Sequence, residues 1–511
     1  MPHSTPAPTR RGLRVATSIS LVVAAAAALS GCTAGGDSGE TADRSLTFAI
    51  PATPTSFSPQ QVGTGYDLEW MQPVYDSLIR QMPNGDLKPF LAKSWKYDDA
   101  ERNLNITLDG DATFADGSPV NADAVKANLE ATRDGTGPLT ASLASIESIE
   151  VEGEHELTLH LNAVQPDLLR SLAQSAGMIA DPDALGKAPL SSTPEGSGPY
   201  KLDTKRTVSG SDYYYTKRDD YWNEDLDVPY SSLHIKVMTD QTAILNALQS
   251  GQVQAAPIEA TNISAAKGAN LDITSYDAPG LVGIYFWDRD GKLNPAVGDV
   301  RVRQAIAHAI DRKALLKAVR DGRGTVIGQQ FRDGWDAHVD SLDDQYAYDP
   351  AESKKLLAEA GYADGFDLKM VRALPEDDLV GQFLKDVGIN VTWIESTDPV
   401  TDILAGKTPM DVFMLQASNT WQVMTTVVTP DAGWNVLHAE SPELNALLDE
   451  AKALPAADRT DVYKRINTWL VDNAWFAPFY TVKGNWATSK DVHIEPQQYA
   501  VPFIYDITPA K

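Results

Sequence analysis

The sequence has one cysteine in 511 residues, so no disulfide bond can form within the chain. Its eight histidines include no pair at the i, i+4 spacing of a helical metal site. His155 and His160 lie in a predicted strand, where they would face opposite sides. The chain also lacks Gly-x-Ser-x-Gly, His-Glu-x-x-His and phosphate-binding glycine loops in a suitable context. We therefore expect no directly bound metal, no cofactor and no enzymatic activity.

Basic residues are the minority charge: 43 Lys and Arg stand against 70 Asp and Glu, which gives a formal net charge of −27. Such an acidic surface repels nucleic acid and anionic lipid headgroups. We therefore expect no nucleic-acid partner. The charge says little about the ligand, because high acidity mostly reflects solubility.

Long apolar runs are also scarce, and the exception lies near the start of the chain. Val15–Ser30 is uncharged, rich in Ala, Val and Leu, and preceded by Arg10, Arg11 and Arg14. It is shorter than the roughly 20 apolar residues needed to cross a bilayer. This pattern predicts a signal peptide over residues 1–31 rather than a membrane span.

Leu29-Ser30-Gly31-Cys32 closes this run and resembles the bacterial lipobox. The resemblance implies that Cys32 is lipidated, becomes the mature N-terminus and anchors the protein to the outer face of the cell membrane. Residues 32–44 hardly contain an apolar residue and predict a flexible, solvated tether.

The remaining chain is too long for a single hydrophobic core, because cores stop growing at roughly 250 to 300 residues. Apolar alternation predicts strands at 45–50, 103–108, 366–371, 410–414 and 475–482. Helical spacing of apolar residues predicts helices over 67–80, 121–131, 299–310, 311–319, 349–361, 442–453 and 458–472. Asn121, Asp299, Asp311 and Asp349 are the expected N-caps. Alternating helices and strands indicate an α/β fold with at least two lobes.

Separated segments carry a more specific signal, because they occur in the order and spacing of one known family. They are Val74–Leu78, Pro89–Trp95, Phe114–Val125, Gly196–Tyr200, Asp220–Trp222, Ala247–Gly251, Val302–Arg312, Leu356–Asp367 and Gly388–Val391. Together they resemble the solute-binding proteins of oligopeptide, dipeptide and nickel importers, called solute-binding family 5. The resemblance runs from Phe48 to about Ile494.

This resemblance implies a two-lobed clamp like the periplasmic binding proteins, of type II, with an extra subdomain in the first lobe. Ligand binding would shift an equilibrium between open and closed forms. The expected division is first lobe 45–72, 196–279 and 484–511, extra subdomain 73–195, and second lobe 280–483. The chain would act as a monomer that delivers a small solute to the permease of an ABC importer.

Candidate ligand-binding residues follow from position in this clamp and from side-chain chemistry. Glycines in a first-lobe loop let backbone approach a solute, and amides, hydroxyls and aromatic rings at the second-lobe rim can bind or stack on it. The candidates are Gly63, Thr64, Gly65, Tyr66, Tyr285, Trp287, Gln416, Ser418, Asn419, Trp421 and Trp434.

The ligand itself stays open between several classes. Many peptide binders of the family carry an aspartate a few residues after the strand predicted at 410–414, where it pairs with the peptide's ammonium group. No acid occurs here between Leu415 and Pro430, and a neutral amide at Asn419 does not replace that charge. An oligopeptide or peptide-like solute is the first expectation. The alternatives are a siderophore, a metal chelate or an oligosaccharide as the ligand, or a role as an extracytoplasmic sensor.

Overall fold

The computed structural model describes residues 44–63, 65–497 and 502–511, and gives only the backbone of residues 277–279. The predicted lipidation site Cys32 and the predicted ligand residue Thr64 lie outside these ranges. The described residues belong to one compact unit.

The strands are short, apart from two of 15 and 13 residues. In chain order they are β1 Ser45–Ile50, β2 Ile79–Gln81, β3 Leu87–Pro89, β4 Ala92–Tyr97, β5 Asn103–Leu108, β6 Ile146–Val151, β7 Glu156–Leu161, β8 Tyr200–Leu202, β9 Asp212–Lys217, β10 Ser232–Val237, β11 Ala255–Pro257, β12 Asp272–Phe286, β13 Gly324–Val326, β14 Phe366–Val371, β15 Ile389–Ile394, β16 Met410–Gln416, β17 Phe476–Thr488, β18 Val492–Ile494 and β19 Ile507–Pro509.

The helices lie between the strands, so the fold is mixed α/β, as the sequence predicts. They are α1 Asp67–Met71, α2 Ala122–Arg133, α3 Leu168–Leu172, α4 Gln241–Gln249, α5 Ile263–Gly268, α6 Pro295–Gly298, α7 Val300–Ala309, α8 Arg312–Arg320, α9 Pro350–Glu359, α10 Asp377–Asp386, α11 Pro399–Leu404, α12 Thr420–Val423, α13 Pro442–Ala453 and α14 Thr460–Asp472.

The four predicted N-caps are confirmed. The side chain of Asn121 accepts a hydrogen bond from the backbone of α2, and those of Asp299, Asp311 and Asp349 do the same for α7, α8 and α9. Each cap satisfies a backbone N–H group that has no partner within its helix, which is worth about 1 kcal/mol.

The helix predicted over residues 67–80 is wrong in its length. It ends at Met71, and β2 begins at Ile79. Pro73 explains the early end, because proline has no N–H to donate to the carbonyl of Glu69 and its ring clashes with that carbonyl. The apolar residues beyond it still pack inward: Val74, Tyr75 and Leu78 are buried.

The large sheet has the strand order β16-β12-β17-β11-β1-β10-β9-β8, with β13 also paired to β17. Strands β12 and β17 pair along almost their whole lengths. The C-terminal end of β17 joins β11 and its middle joins β13, while the C-terminal half of β12 pairs with β16. The two long strands therefore connect the part of the sheet around β1 to the part around β16.

Buried apolar side chains form distinct clusters on either side of these strands. One packs around β1, β9 and β10, and another packs α7, α9 and α10 against β12, β14 and β16. A third lies beneath α12, α13 and α14. A separate four-stranded sheet, β4-β5-β7-β6, covers its own cluster with α2 and α3. Among the described residues, no helix combines the length and the apolar character that a membrane span requires.

Candidate functional site

The midpoint of β12 and β17 is irregular, and we call it the strand crossing: residues 277–281 of β12 and 481–484 of β17. Asp277 pairs with Lys483 and Leu281 pairs with Thr481, so three residues of β12 face one residue of β17. Such a bulge locally disrupts the ladder and bends the strand. Gly484 lies against Tyr276, where an added Cβ atom would be 2.2 Å from the ring carbon Cζ.

A cavity of about 500 Å³ opens beside the strand crossing. Its size falls in the range of small-molecule sites, which are about 300 to 1,000 Å³. The walls come from the segment that follows α8, from the residues after β16, from Thr481 of the crossing and from Gln497. The lining residues are Thr325, Val326, Ile327, Arg332, Asp333, Gly334, Trp335, His338, Asp343, Ala417, Ser418, Thr481 and Gln497.

A second, much smaller cavity of about 20 Å³ adjoins the first. The two share the lining residues Arg332, Trp335 and Ala417, and we call the larger one the chamber and the smaller one the extension. The side chains that line only the extension are mostly apolar: Leu281, Tyr285, Gln330, Leu415, Gln416, Val423, Thr426 and Val427.

Arg332 is the basic side chain at the junction of the two cavities. Its guanidinium lies 5.6 Å from the centre of the Trp335 ring, within the range of a cation–π contact. Its Nη2 donates a hydrogen bond of 3.4 Å to the carbonyl oxygen of Gly280 in the strand crossing. The same side chain therefore contacts both the cavity and the crossing.

The two acids of the large cavity differ in their surroundings. Asp343 accepts a hydrogen bond from Nε2 of Gln329 at 2.5 Å and lies 3.4 Å from Nε2 of His338. Asp333 is exposed. Neighbouring donors therefore offset the charge of Asp343 within the chamber, while water screens the charge of Asp333 at its mouth.

Three aromatic residues predicted from the sequence lie in the core beside the extension. Tyr285 lines the small cavity and stacks on Trp287, with ring centres 5.4 Å apart. Trp287 is fully buried and donates from Nε1 to Asp411 at 2.8 Å. Burial raises the pKa of Asp411 to about 7, although three donors oppose the shift. Trp434 is half-buried and stacks on Phe413 with ring centres 4.9 Å apart.

The predicted rim residues divide between the cavities and another surface. Gln416 is exposed and lines the small cavity, and Ser418 lines the large one. Asn419 caps α12 by accepting from the backbone N–H of Gln422 at 2.8 Å. Trp421 is half-buried and lies outside the lining of both cavities.

Asn419 belongs to a contact between the predicted second lobe, residues 280–483, and the region that contains the four-stranded sheet. Its Nδ2 donates to Oδ1 of Asp167 at 2.7 Å. Nearby, the backbone N–H of Ala456 donates to Oε1 of Glu101 at 3.0 Å, and Nη2 of Arg459 lies 3.6 Å from Oε2 of Glu101. We call these five residues the distal contact.

Charge at the distal contact is largely shielded from water. Burial raises the pKa of Asp167 to about 6, while Arg170 at 3.5 Å and the amide of Asn419 oppose the rise. The side chain of Arg459 is 1% exposed and lies 5.9 Å from the centre of the Trp421 ring. Residues 415–430, which contain no acid, thus contact Asp167 from a distant part of the chain.

The predicted first-lobe loop lies outside the lining of both cavities. The backbone of Gly63 donates to Asp67 at 2.8 Å and accepts from the hydroxyl of Ser175 at 2.7 Å. Gly65 has a φ of +74°, which favours glycine, and Tyr66 is exposed. Behind the loop, burial raises the pKa of Glu69 well above its ordinary value.

Sequence reasoning missed the segment 325–343, which supplies most of the large cavity. A signal was present: 29 residues separate α8 from α9 with only one short strand among them, and long irregular connections are often functional. Arg332-Asp333-Gly334-Trp335 also places charge, a turn residue and an aromatic ring together in this connection.

Comparisons with known proteins agree on one family. The family model for bacterial extracellular solute-binding proteins, family 5, matches residues 86–430, which is more than half of the chain. Heme-binding protein A of Haemophilus influenzae is 26% identical over 354 residues, covering 64% of this chain and 63% of the relative. The glutathione-binding protein of Salmonella typhimurium is 27% identical over 337 residues, with the same two coverages. The chain therefore aligns with less than two thirds of the length of these relatives.

Solved structures match over a longer stretch. The substrate-binding protein CtaP of an ABC transporter from Listeria monocytogenes has a TM-score of 0.80 and 19% sequence identity, covering 91% of this chain and 99% of that protein. At this identity the likeness shows the fold alone. It confirms the predicted class, an α/β clamp of the periplasmic-binding-protein kind.

Proposed function

Because the chain belongs to the bacterial extracellular solute-binding proteins of family 5, we propose that it captures a small solute beside the strand crossing. It then delivers this solute to the permease of an ABC importer. The observation that carries the proposal is the chamber of about 500 Å³ next to the two long strands. Family and fold are those of solute-binding transport proteins rather than enzymes.

The division into lobes is part of the proposal. Residues 45–72, 196–279 and 484–511 form the first lobe, 73–195 the extra subdomain and 280–483 the second lobe. Strands β12 and β17 pass between the lobes, and their bulge supports bending there. Gln497 of the proposed first lobe and Thr481 of the proposed second lobe both line the chamber, so closure around a solute would change contacts that a rigid body keeps.

The predicted ligand residues remain proposals of different strength. Tyr285, Gln416 and Ser418 line the cavities, which supports direct contact with the solute. Trp287 and Trp434 support the walls through stacking. Gly63, Gly65 and Tyr66 can contact the solute only when closure of the clamp brings their loop to the chamber. Thr64 is proposed from the sequence alone.

The solute is proposed to be peptide-like. The relatives named above carry heme and glutathione in their names, and glutathione is a peptide-like molecule that suits a chamber of this size. A siderophore, a metal chelate or an oligosaccharide is the alternative outcome of the same experiment. Among the described residues, no group of three or more potential metal ligands occurs.

Native mass spectrometry of the purified full chain tests capture. We expect a retained mass of a few hundred daltons that is lost on unfolding. Reconstitution with the cognate permease and ATPase then tests delivery, measured as uptake that depends on the chain. A chain that retains no solute and supports no uptake would overturn the proposal.

A separate part of the proposal is that Cys32 is lipidated and anchors the chain. One acyl chain alone binds membranes weakly, so stable anchoring needs two signals. The full chain should fractionate with membranes and incorporate labelled palmitate. Cys32→Ala should abolish the label and release the chain. An unlabelled wild-type chain, or a labelled variant, would contradict the lipoprotein assignment.

A further inference from the structure

We infer that the distal contact is a latch that holds the proposed clamp closed, and that a proton bound at Asp167 stabilises the latched form. Closure would then take up a proton and become more favourable as the surroundings of the chain turn acidic. This inference rests on the proposed function, because it needs two lobes that open and close.

The latch joins parts of the chain that an opening clamp separates. Asp167 and Glu101 belong to the proposed extra subdomain, whereas Asn419, Ala456 and Arg459 belong to the proposed second lobe. Nδ2 of Asn419 donates to Asp167, the backbone of Ala456 donates to Glu101, and Arg459 forms an ion pair with Glu101. Bending at the strand crossing that moves the second lobe away from the subdomain would break these contacts.

The turn between β4 and β5 presents Glu101 to the second lobe. Glu101 has a φ of +52°, a left-handed conformation that residues with a side chain rarely adopt. Oδ1 of Asp98 accepts from the backbone N–H groups of Arg102 and Asn103, at 2.8 Å and 3.2 Å, and so fixes this turn. A side chain that is already held in place loses less conformational freedom when the contact forms.

Asn419 is also held in one orientation, and it presents a neutral amide to Asp167. Its Oδ1 accepts from the backbone N–H of Gln422, which leaves Nδ2 to donate to Oδ1 of Asp167 at 2.7 Å. A carboxyl oxygen accepts this bond whether or not the group carries a proton. The charged group that faces Asp167 is Arg170 of its own segment, whose Nε lies 3.5 Å from Oδ1.

Burial outweighs both partners and raises the pKa of Asp167 to about 6, from an ordinary value of 3.8. When the clamp opens, water replaces Asn419 while Arg170 stays beside the carboxyl, so the pKa falls back toward its ordinary value. The closed form therefore binds the proton more tightly than the open form. By linkage, acidification from about pH 6 to 4 favours closure.

Other charged groups surround α12 on the same surface. Asp336 accepts from the hydroxyl of Thr420, and the ion pair of the distal contact lies nearby. The raised pKa of Asp167 comes from its burial, opposed by Arg170 and Asn419, rather than from these groups. The proton dependence of the latch is therefore assigned to one carboxyl.

Two further carboxyls have a raised pKa, about 6 for Asp377 and about 7 for Asp411. Their hydrogen-bond donors belong, like them, to the proposed second lobe: Trp287, Val371, Ala373, Leu374 and Thr408. Opening leaves those bonds in place. In the described part of the chain, Asp167 is thus the carboxyl of raised pKa that bonds across the boundary with the second lobe.

Small-angle scattering of the full chain at pH 7.5 and pH 5 tests the latch without a ligand. With a pKa of about 6 closed and 3.8 open, the ratio of closed to open chains should rise about tenfold on acidification. The radius of gyration of the wild type should decrease accordingly. Asp167→Asn keeps an acceptor for Asn419 and removes the proton, so its radius should not change with pH.

Asn419→Asp is the opposing variant. Aspartate is as good an N-cap as asparagine, so α12 is preserved, while two carboxylates face one another across the latch. This variant should be more open than the wild type at pH 7.5 and should close at pH 5. Combining it with Asp167→Asn exchanges donor and acceptor and should restore closure at pH 7.5.

Asp134→Asn is the control, since Asp134 is exposed and pairs with Arg133 away from the latch; it should scatter as the wild type does. A pH response of Asp167→Asn equal to that of the wild type would overturn the inference. So would radii that stay the same at both pH values in the wild type and in Asn419→Asp. Solute retention and uptake do not depend on these results, so the proposed function would stand. It fails separately, if the chain retains no solute and supports no uptake.

Discussion

The strand crossing and the distal contact join the same two parts of the chain by different means. At the crossing, the backbone itself passes between them, and β12 and β17 are bonded over most of their lengths. At the distal contact, side chains from Asp167 and Glu101 meet Asn419, Ala456 and Arg459 across a large separation in sequence. We expect the backbone of the crossing to stay intact when the proposed lobes move relative to one another, whereas the side-chain bonds of the distal contact can break.

This difference predicts where substitutions destabilise the fold and where they shift a conformational equilibrium. Gly484 at the crossing and Gly283 beside it lie so close to neighbouring atoms that an added Cβ atom would clash. Polar side chains at the distal contact have water as an alternative partner, so their net contribution is small. The predictions below test this contrast.

Gly283→Val should have the largest effect. An added Cβ atom would lie 2.8 Å from the carbonyl oxygen of Ala477 and 2.9 Å from Cα of Pro478, both of which are backbone atoms of β17. Overpacking of this kind costs about 1 to 3 kcal/mol or more, and chemical denaturation should show a loss of about 3 kcal/mol. Gly433→Ala is the control, because nothing lies within 4 Å of its added Cβ atom. Equal stability of the two variants would contradict close packing of β12 against β17 beside the crossing.

Glu101→Gln should destabilise less and should act mainly on the distal contact. It keeps an acceptor for the backbone of Ala456 and removes the charge beside the buried guanidinium of Arg459. We expect a loss of about 1 kcal/mol in unfolding free energy, together with an increase in radius of gyration by small-angle scattering. A compact variant with wild-type scattering would show that this ion pair does not hold the two parts together. Asp449→Asn, at an exposed pair with Lys452, serves as the control.

Asp167→Asn should change the pH dependence of stability. The folded pKa of Asp167 is raised to about 6, from an ordinary value of 3.8. The folded state therefore binds this proton more tightly than the unfolded state, so the wild type gains stability from this group as pH falls from about 6 to 4. An amide carries no such proton. The stability of the variant relative to the wild type should accordingly decrease over this interval, by about 1 to 2 kcal/mol after discounting for solvent screening.

Thermal midpoints at pH 7 and pH 4.5 measure this change. Asp134→Asn is the control: Arg133 lowers the pKa of the exposed Asp134 below its ordinary value of 3.8, so this carboxyl stays ionised at both pH values and the difference from the wild type should not change with pH. A stability difference between Asp167→Asn and the wild type that stays constant with pH would contradict the burial of this carboxyl.

Sequence reasoning located regular elements well where local signals agree. The cap at Asp349 and the strand Phe366–Val371 were predicted with their observed bounds, because side-chain caps and apolar alternation are properties of neighbouring residues. The helix over 67–80 failed because Pro73 overrides apolar spacing. The division into lobes came from the family resemblance and remains a proposal.

The candidate site was harder to predict, since it depends on residues far apart in the chain. Arg332 reaches the cavity because β13 pairs with β17 and carries the following loop past the crossing. No local pattern encodes that pairing. Asn419 was identified for its amide, yet its partner Asp167 lies 252 residues away. Asp167 therefore supplies, through the fold, an acid that residues 415–430 lack in the sequence.

Trp421→Ala should have the smallest effect on folding and a measurable effect on binding. The ring is half-buried beside Arg459 of the distal contact, and its centre lies 6.5 Å from that of Tyr463. Removing it should loosen the distal contact and weaken solute binding about fivefold, since a cation–π contact contributes about 0.5 to 1 kcal/mol. Trp421→Phe keeps an aromatic face and should recover most of the affinity. Calorimetry with the solute retained by the wild-type chain measures both, and unchanged affinity in Trp421→Ala would remove this residue from the proposed site. Trp421 lies outside both cavity linings. If Trp421→Ala weakens binding in the wild-type chain but not in a chain that already carries Glu101→Gln, the ring acts through the distal contact rather than on the solute.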